Sequence, residues 1–120
     1  LEGVMEMYVP GDYELDVPAR IRELYQQKDY GQYGENGKLP VCFLGSNHTT
    51  GGNSGSPAID AHGNLIGLNF DRVWEGTMSD LNYDPAICRN IMVDSRYILF
   101  IIDKYAGATR LIEEMKVVRK

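Results

Sequence analysis

Apolar residues recur at helical spacing early in the chain. Ile21, Leu24 and Tyr25 fall on one face of an α-helix. Asp16 is suited to start this helix, because its side chain can accept hydrogen bonds from backbone amides that have no partner in the first turn. The apolar pattern stops at residues 29–31, which read Asp-Tyr-Gly. The sequence therefore predicts one early helix between these limits.

A denser apolar pattern marks the carboxyl end. It contains six large apolar residues at helical spacing: Tyr97, Ile98, Phe100, Ile101, Ile102 and Tyr105. Asp94 precedes them as a candidate N-cap, and Gly107 follows them as a helix stop. Residues 109–115 predict a second, shorter helix. We expect residues 94–120 to form the closing helices of the chain.

Between the two helical regions, short apolar runs and turn residues predict β-strands. Residues 41–44 are apolar and suited to a buried strand. Residues 58–60 and 65–70 flank an Ala-His-Gly-Asn turn and predict a hairpin, and residues 90–93 predict one more strand. Residues 71–89 are expected to form a long loop. Strands joined by turns and followed by helices predict an antiparallel barrel or sandwich, so the expected fold class is mainly β with a C-terminal helix.

The composition fits one globular domain and argues against two classes of partner. The chain has 120 residues, of which 43% are hydrophobic and 24% are charged, as in an ordinary folded domain. Its net charge of −5 argues against a nucleic-acid partner, because binding of phosphate groups needs a basic surface. No apolar run approaches the roughly 20 residues of a membrane helix, so membrane insertion is not expected. Two cysteines, Cys42 and Cys88, are too few for a disulfide framework or a zinc site, and their pairing stays open.

One loop carries the signature of a nucleophile. Residues 51–57 read Gly-Gly-Asn-Ser-Gly-Ser-Pro. Glycines on both sides of Ser54 allow a tight turn that exposes the hydroxyl and gathers backbone N–H groups in one concavity. Such donors stabilise the oxyanion of a tetrahedral intermediate, so we predict Ser54 as the nucleophile and the N–H groups of Gly52 and Ser54 as the oxyanion hole. The alternative is a connecting turn without chemistry.

A base for this serine is harder to find. The loop resembles the nucleophile segment of chymotrypsin-like serine peptidases, in which the triad His and Asp precede the Ser along the chain. His48 would share the loop of Ser54, and His62 lies at the tip of the predicted hairpin, so neither is a good candidate. The chain also opens without an initiator Met. We therefore expect a fragment of a longer protein, with the triad His and Asp upstream, and we expect the fragment alone to be inactive.

Longer stretches carry a more specific resemblance. They are residues 49–57 around Ser54, residues 65–72 (Leu-Ile-Gly-Leu-Asn-Phe-Asp-Arg), residues 74–76 (Trp-Glu-Gly) and residues 96–107. Together they resemble the bacterial dipeptidyl-peptidase 7 and 11 family over nearly the whole chain. The resemblance implies the C-terminal segment of a peptidase domain. Residues 1–93 would hold barrel strands, the early helix and the nucleophile loop, and residues 94–120 the closing helices.

The resemblance also implies properties of the whole protein. It implies a chymotrypsin-like double β-barrel, of which this chain contributes part of the C-terminal barrel. It further implies a periplasmic or cell-surface enzyme, usually a homodimer, that removes dipeptides from peptide N-termini. No metal or organic cofactor is expected.

Two adjacent residues carry the expected substrate preference. Arg72 matches the position that makes dipeptidyl-peptidase 11 prefer Asp or Glu as the second residue, where dipeptidyl-peptidase 7 has glycine. A planar guanidinium can hold a carboxylate with two parallel hydrogen bonds. The resemblance implies that Asp71 binds the free α-amino group of the substrate, although alternation along a strand predicts that Asp71 points away from the pocket of Arg72. The alternative is a surface arginine that pairs with Asp71 or Glu75.

Two other functions stay open at this point. A glutamyl endopeptidase also uses the Thr-Gly-Gly-Asn-Ser-Gly-Ser-Pro segment and also prefers acidic side chains. An inactive barrel that acts as a binding module is the rival from another class. The Asp71-Arg72 pair, residues 74–76 and the helical tail favour the dipeptidyl-peptidase.

Overall fold

The computed structural model describes residues 1–73 and 88–119. By its internal contacts, the chain divides into two compact units. One consists of Leu1–Pro40 and Arg96–Lys120, and the other of Val41–Ser95. Residues 74–76, which carry part of the family resemblance, and most of the predicted loop over 71–89 lie outside the described residues.

Helices form the first unit. Their bounds are α1 Glu2–Glu6, α2 Ala19–Gln27, α3 Ser95–Phe100 and α4 Thr109–Glu113, with a 3₁₀ turn at Gly31–Tyr33 and a π-helical turn at Ile101–Tyr105. The two predicted closing helices are confirmed, and Gly107 follows the π-helical turn in a left-handed conformation. The short helix α1 was not predicted, because the apolar residues near the amino end show no clear period.

The predicted early helix is confirmed as α2. Ile21 and Leu24 are both buried on its inner face, as the spacing indicates. The helix begins after Pro18, whereas Asp16 accepts a hydrogen bond only from the neighbouring Val17 N–H (2.9 Å) and caps no helical amide. Lys28 ends the helix in a left-handed conformation. Helix α2 therefore starts slightly later than the sequence suggested, with the same buried face.

A four-stranded antiparallel sheet forms the described part of the second unit. Its strands are β1 Cys42–Gly45, β2 Pro57–Ile59, β3 Leu65–Arg72 and β4 Asn90–Asp94, in the spatial order β1-β4-β3-β2. The predicted hairpin is confirmed as β2 and β3, and the predicted last strand as β4. Strand β3 lies in the interior of the sheet and ends next to the segment that carries the nucleophile loop.

Strand β1 forms as predicted, but the expectation that it is buried is wrong. Cys42 and Leu44 are exposed, and the side chain positions alternate between exposed and half-buried. Among the described strands β1 pairs only with β4, and no described layer covers the face that holds Cys42 and Leu44. Apolar composition indicates a strand, but it does not reveal whether a second layer covers it.

A β-bulge interrupts the pairing of β3 with β4. Asn69 pairs with Met92 and Asp71 with Ile91, so Phe70 is an extra residue on β3. A bulge bends the strand and changes the side-chain alternation beyond it. The end of β3, which holds Asp71 and Arg72, is therefore turned relative to the strand before it.

The expected fold class is confirmed in part. The antiparallel sheet is present, and the chain ends in helices. The description "mainly β" is wrong for the chain as a whole, because one of its two compact units is helical. The residues before the first strand build that helical unit together with the closing helices.

The turn of the hairpin depends on one carboxylate. Asp60 Oδ1 accepts hydrogen bonds from the backbone N–H groups of Asn64 and His62, both at 2.9 Å. The bond from the Asn64 N–H is the main cause that lowers the pKa of Asp60 from its ordinary value. A carboxylate with a lowered pKa in the folded state stabilises that state above its unfolded pKa. This contribution is lost as the pH falls through the folded pKa.

We therefore expect the hairpin to open more readily at acid pH. Hydrogen exchange over residues 58–68, corrected for the intrinsic pH dependence, should become faster below pH 4 in the full-length protein. Asp60→Ala should show the faster exchange already at neutral pH, and little further acid response. Asp12→Ala, which removes a turn carboxylate in the helical unit, serves as the control. The same acid response in Asp60→Ala as in the wild type would contradict the assignment.

Candidate active site

Four residues singled out in the sequence line one cavity of the sheet unit. The cavity has a volume of about 130 Å³ and is lined by Thr49, Thr50, Gly51, Gly52, Ser54, Asn69, Phe70, Asp71 and Arg72. The nucleophile loop and the end of β3 form its walls. The structure thus brings Ser54, Gly52, Asp71 and Arg72 together, although they come from two separate stretches of the sequence.

The nucleophile loop turns at two glycines. Gly52 has φ 95° and Gly55 has φ 85°, a region that side chains with a Cβ atom rarely adopt. A Cβ at either position would meet nothing within 4 Å. The backbone conformation, rather than a lack of space, therefore requires glycine here. Ser54 lies between the two turns and is exposed.

The backbone amides of the loop are available as donors. Within the described residues, the N–H groups of Gly52 and Ser54 donate no hydrogen bond. Other amides of the loop are used: Thr50 N–H donates to Asn53 Oδ1 at 2.7 Å, and Asn53 N–H donates to Thr50 O at 3.3 Å. Among the described residues, the two amides predicted to bind an oxyanion are thus left for an external acceptor, as is the N–H of Gly51.

Asn69 of strand β3 forms hydrogen bonds with this loop, and the sequence analysis did not identify it as a functional residue. The Gly55 N–H donates to Asn69 O at 2.7 Å, and the Asn69 N–H donates to Ser56 O at 2.8 Å. The Asn69 side chain adds a bond from Nδ2 to Asn53 O at 3.2 Å. A signal was present: Asn69 is a polar residue in the apolar run Leu-Ile-Gly-Leu-Asn-Phe, and a buried amide in such a run needs partners.

Arg72 is half-buried at the cavity. Its Nη1 donates a hydrogen bond to the Thr49 carbonyl at 3.2 Å, which holds the guanidinium against the irregular segment just before the nucleophile loop. A guanidinium has five N–H donors in a rigid plane, and the bond to Thr49 uses one of them. Arg72 lines the cavity, as its interpretation as a pocket residue requires, and Glu75, a partner in the alternative interpretation, lies outside the described residues.

Asp71 lines the same cavity as Arg72. Strict alternation predicted that the Asp71 side chain would point away from the pocket of Arg72. The bulge at Phe70 precedes both residues, and beyond it Asp71 pairs with Ile91 and Arg72 with Asn90 in regular register. Asp71 is exposed, and its Oδ1 accepts a hydrogen bond from the Arg72 backbone N–H at 2.8 Å.

Neither histidine of the chain is among the described residues that line this cavity. His62 is exposed at the hairpin turn, as predicted, and His48 is also exposed. His48 instead borders a second cavity, of about 290 Å³, together with Asn53, Asn69 and Asn90. The described cavity therefore has a candidate nucleophile and amide donors but no imidazole.

Two further properties concern the described part of the chain. Over residues 1–73 and 88–119, no group of three His, Cys, Asp or Glu side chains could hold a metal ion. In the same residues, no helix has the length and apolar character needed to cross a bilayer.

Curated relatives match the chain over almost its full length. An Asp/Glu-specific dipeptidyl-peptidase of Flavobacterium psychrophilum is 75% identical over 118 residues, which are 98% of this chain and 16% of the relative. An Asp/Glu-specific dipeptidyl-peptidase of Capnocytophaga gingivalis is 72% identical over 99% of this chain and 17% of its own length. A dipeptidyl-peptidase 7 of Phocaeicola vulgatus is 52% identical over 98% of this chain. The chain thus spans about a sixth of the length of the first two relatives.

A solved structure matches as well. The crystal structure of Porphyromonas endodontalis DPP11 in complex with the dipeptide Arg-Asp has a TM-score of 0.93 and 52% sequence identity. The match covers 97% of this chain and 17% of that one. The model of the peptidase S46 family matches residues 1–117. The chain belongs to the peptidase S46 family.

Proposed function

We propose that the protein containing this chain is a serine dipeptidyl-peptidase. It releases dipeptides from the free N-terminus of peptides and prefers Asp or Glu as the second residue. The observation that carries the proposal is the shared cavity, in which Ser54, the unpaired amides and Arg72 lie together. The relatives named Asp/Glu-specific dipeptidyl-peptidases support the same substrate class.

Catalysis in this proposal begins at Ser54. Its Oγ attacks the carbonyl carbon of the second substrate residue, the bond from that carbon to the nitrogen of the third residue breaks, and the amine part of the peptide leaves as an acyl-enzyme forms. The oxyanion of the tetrahedral intermediate accepts hydrogen bonds from the Gly52 and Ser54 N–H groups. Loss of one such donor typically raises the barrier by about 3–4 kcal/mol. Water then hydrolyses the acyl-enzyme and frees the dipeptide.

The proton of the serine requires a base from outside this cavity wall. His48 and His62 do not line the cavity, so we propose that the triad His and Asp belong to a part of the protein outside this chain. The sheet would then form part of the C-terminal barrel of a chymotrypsin-like double barrel. Exposed apolar side chains on the sheet support a covering layer there: Leu44, Ile59, Leu65, Ile66 and Phe70.

In this proposal, Arg72 and Asp71 each bind one charged group of the substrate's first two residues. The guanidinium of Arg72 binds the acidic side chain of the second residue, and the carboxylate of Asp71 binds the α-ammonium group. An N-terminal charge held at a fixed distance from Ser54 limits cleavage to the second peptide bond. The family resemblance further supports a homodimer at the periplasmic or cell-surface side of a bacterium, and we include both in the proposal.

The exopeptidase assignment predicts a strong dependence on the free N-terminus. The full-length protein should cleave a peptide with Asp at the second position, and an N-acetylated copy at least about 100-fold more slowly, because acetylation removes the charge that pairs with Asp71. Mass spectrometry of the products measures both rate and cleavage position. A peptide with Leu at the second position is the specificity control.

Each possible result of this cleavage assay favours a different one of the three candidate functions. Cleavage of the blocked peptide after an internal acidic residue would indicate a glutamyl endopeptidase instead. No cleavage of any peptide by the folded full-length protein would indicate an inactive binding module. Release of an Asp-containing dipeptide from the free peptide alone would support the proposal.

A further inference from the structure

Two buried asparagines form a hydrogen-bonded chain behind the nucleophile loop. Asn90 Nδ2 donates to Asn69 Oδ1 at 3.0 Å, and Asn69 Nδ2 donates to Asn53 O at 3.2 Å. Asn69 is 7% exposed and Asn90 is 2% exposed. The chain of amides therefore runs from the interior of the sheet, through β3, to the peptide bond just before Ser54.

That peptide bond is the one that carries the candidate oxyanion donor. The carbonyl of Asn53 and the N–H of Ser54 belong to a single planar peptide group. In a trans peptide the C=O and the N–H point in opposite directions, so a bond that fixes the carbonyl also fixes the direction of the N–H. Every peptide bond of the described residues is trans.

The Asn53 carbonyl receives two donors, Asn69 Nδ2 and the Ser56 N–H at 3.0 Å. The flanking glycines Gly52 and Gly55 make this loop tolerant of other backbone conformations, so an unanchored peptide could reorient. Two donors on one carbonyl oppose that reorientation. They also polarise the peptide group, which strengthens its N–H as a donor.

Asn90 determines which way the amide of Asn69 faces. Because Asn90 donates to Asn69 Oδ1, the NH₂ end of Asn69 is directed at the loop. Asn90 Oδ1 is itself buried and has no hydrogen-bond partner among the described residues, an arrangement that destabilises a fold. Gly45 leaves room for it, because a Cβ there would lie 2.7 Å from Asn90 Oδ1.

We propose that Asn69 and Asn90 are positioning residues that aim the Ser54 N–H at the oxyanion. Asn69 acts on the peptide group directly, and Asn90 acts through Asn69. The inference rests on the proposed role of Ser54 and adds to it two residues that act on the transition state through the peptide group between Asn53 and Ser54.

The decisive variant replaces both asparagines in the full-length protein, as Asn69→Leu combined with Asn90→Leu. Removal of both partners of a buried hydrogen bond can be nearly neutral for stability, whereas the Asn53 carbonyl loses its side-chain donor. We expect kcat to fall about tenfold to 100-fold, a part of the effect of a lost oxyanion donor. KM should change by less than about threefold, because an interaction made only in the transition state does not alter ground-state binding.

Single variants and a matched control complete the experiment. Asn69→Leu and Asn90→Leu should each lower kcat, with the larger effect from Asn69→Leu. Asn64→Leu replaces an asparagine of the hairpin turn and should leave kcat and KM unchanged. The thermal unfolding temperature and the affinity for a product dipeptide establish that each variant is folded and keeps its pocket.

The possible results distinguish this inference from the function on which it depends. A wild-type protein without peptidase activity contradicts the proposed function. An active wild type with a folded double variant whose kcat stays within about twofold contradicts only the positioning role. A rise in KM with unchanged kcat would show that Asn69 and Asn90 maintain the shape of the substrate pocket. Failure of all three variants to fold would show that the two residues are needed only for folding. Either result overturns the inference.

Discussion

Ser54→Ala should remove essentially all peptidase activity from the full-length protein. The variant lacks the oxygen that forms the acyl-enzyme, while the backbone amides of Gly52 and Ser54 remain. Loss of the nucleophile in serine peptidases lowers kcat by about 10⁴-fold or more. Turnover of a peptide with a free N-terminus and Asp at the second position measures this effect. Binding of a product dipeptide should persist, since the groups that bind it are intact.

Ser56→Ala is the matched control for this variant. Ser56 lies in the same loop, but its contacts to Asn53 and Asn69 use backbone atoms that alanine keeps. Its kcat should therefore stay near that of the wild type. Substantial turnover by Ser54→Ala, or equal inactivity of both variants, would contradict the assignment of Ser54 as the nucleophile.

Local backbone chemistry explains why the nucleophile loop could be found in the sequence. Positive φ angles at Gly52 and Gly55 are a property of residue type and immediate neighbours. The hairpin of β2 and β3 was predictable for the same reason, because its turn residues and flanking apolar runs are contiguous. Helix α2 followed from the spacing of Ile21, Leu24 and Tyr25.

Contacts between distant parts of the chain were not predictable in this way. The amide of Asn69 is significant because its partners are Asn53 and Asn90, which lie 16 and 21 residues away. A single sequence shows that Asn69 is polar within an apolar run, but not which groups satisfy it. The bulge at Phe70 likewise depends on how β3 pairs with β4.

The place of Asp71 and Arg72 also depends on the pairing of β3. Alternation predicts opposite directions for the two side chains, and beyond the bulge at Phe70 the two residues pair regularly with Ile91 and Asn90. The bulge reorients the end of β3 as a whole, and both residues line the cavity there. A single sequence does not show this irregularity, because it arises between strands that are distant along the chain.

Arg72→Gly should change the substrate preference of the full-length protein. Each charge-assisted hydrogen bond from the guanidinium contributes about 1.5–3 kcal/mol, so loss of two should lower kcat/KM for substrates with Asp or Glu at the second position by about 10²- to 10⁴-fold. Substrates with an apolar second residue should be cleaved faster, because the variant no longer places a charged guanidinium against an apolar side chain. Parallel assays with Asp and Leu at that position measure the ratio.

Two controls separate the pocket role of Arg72 from a structural one. Arg72→Lys keeps a positive charge but cannot hold a carboxylate with a planar pair of donors, so acidic substrates should lose part of their rate and apolar ones should gain nothing. Arg20→Ala removes an exposed arginine that pairs with Glu23 at 3.1 Å, and both rates should stay unchanged. If Arg72→Gly slows acidic and apolar substrates equally, the guanidinium supports the loop through Thr49 rather than reading the substrate. An unchanged preference would place Arg72 outside the pocket altogether, and a reversal confined to Arg72→Gly would establish it as the residue that recognises the acid.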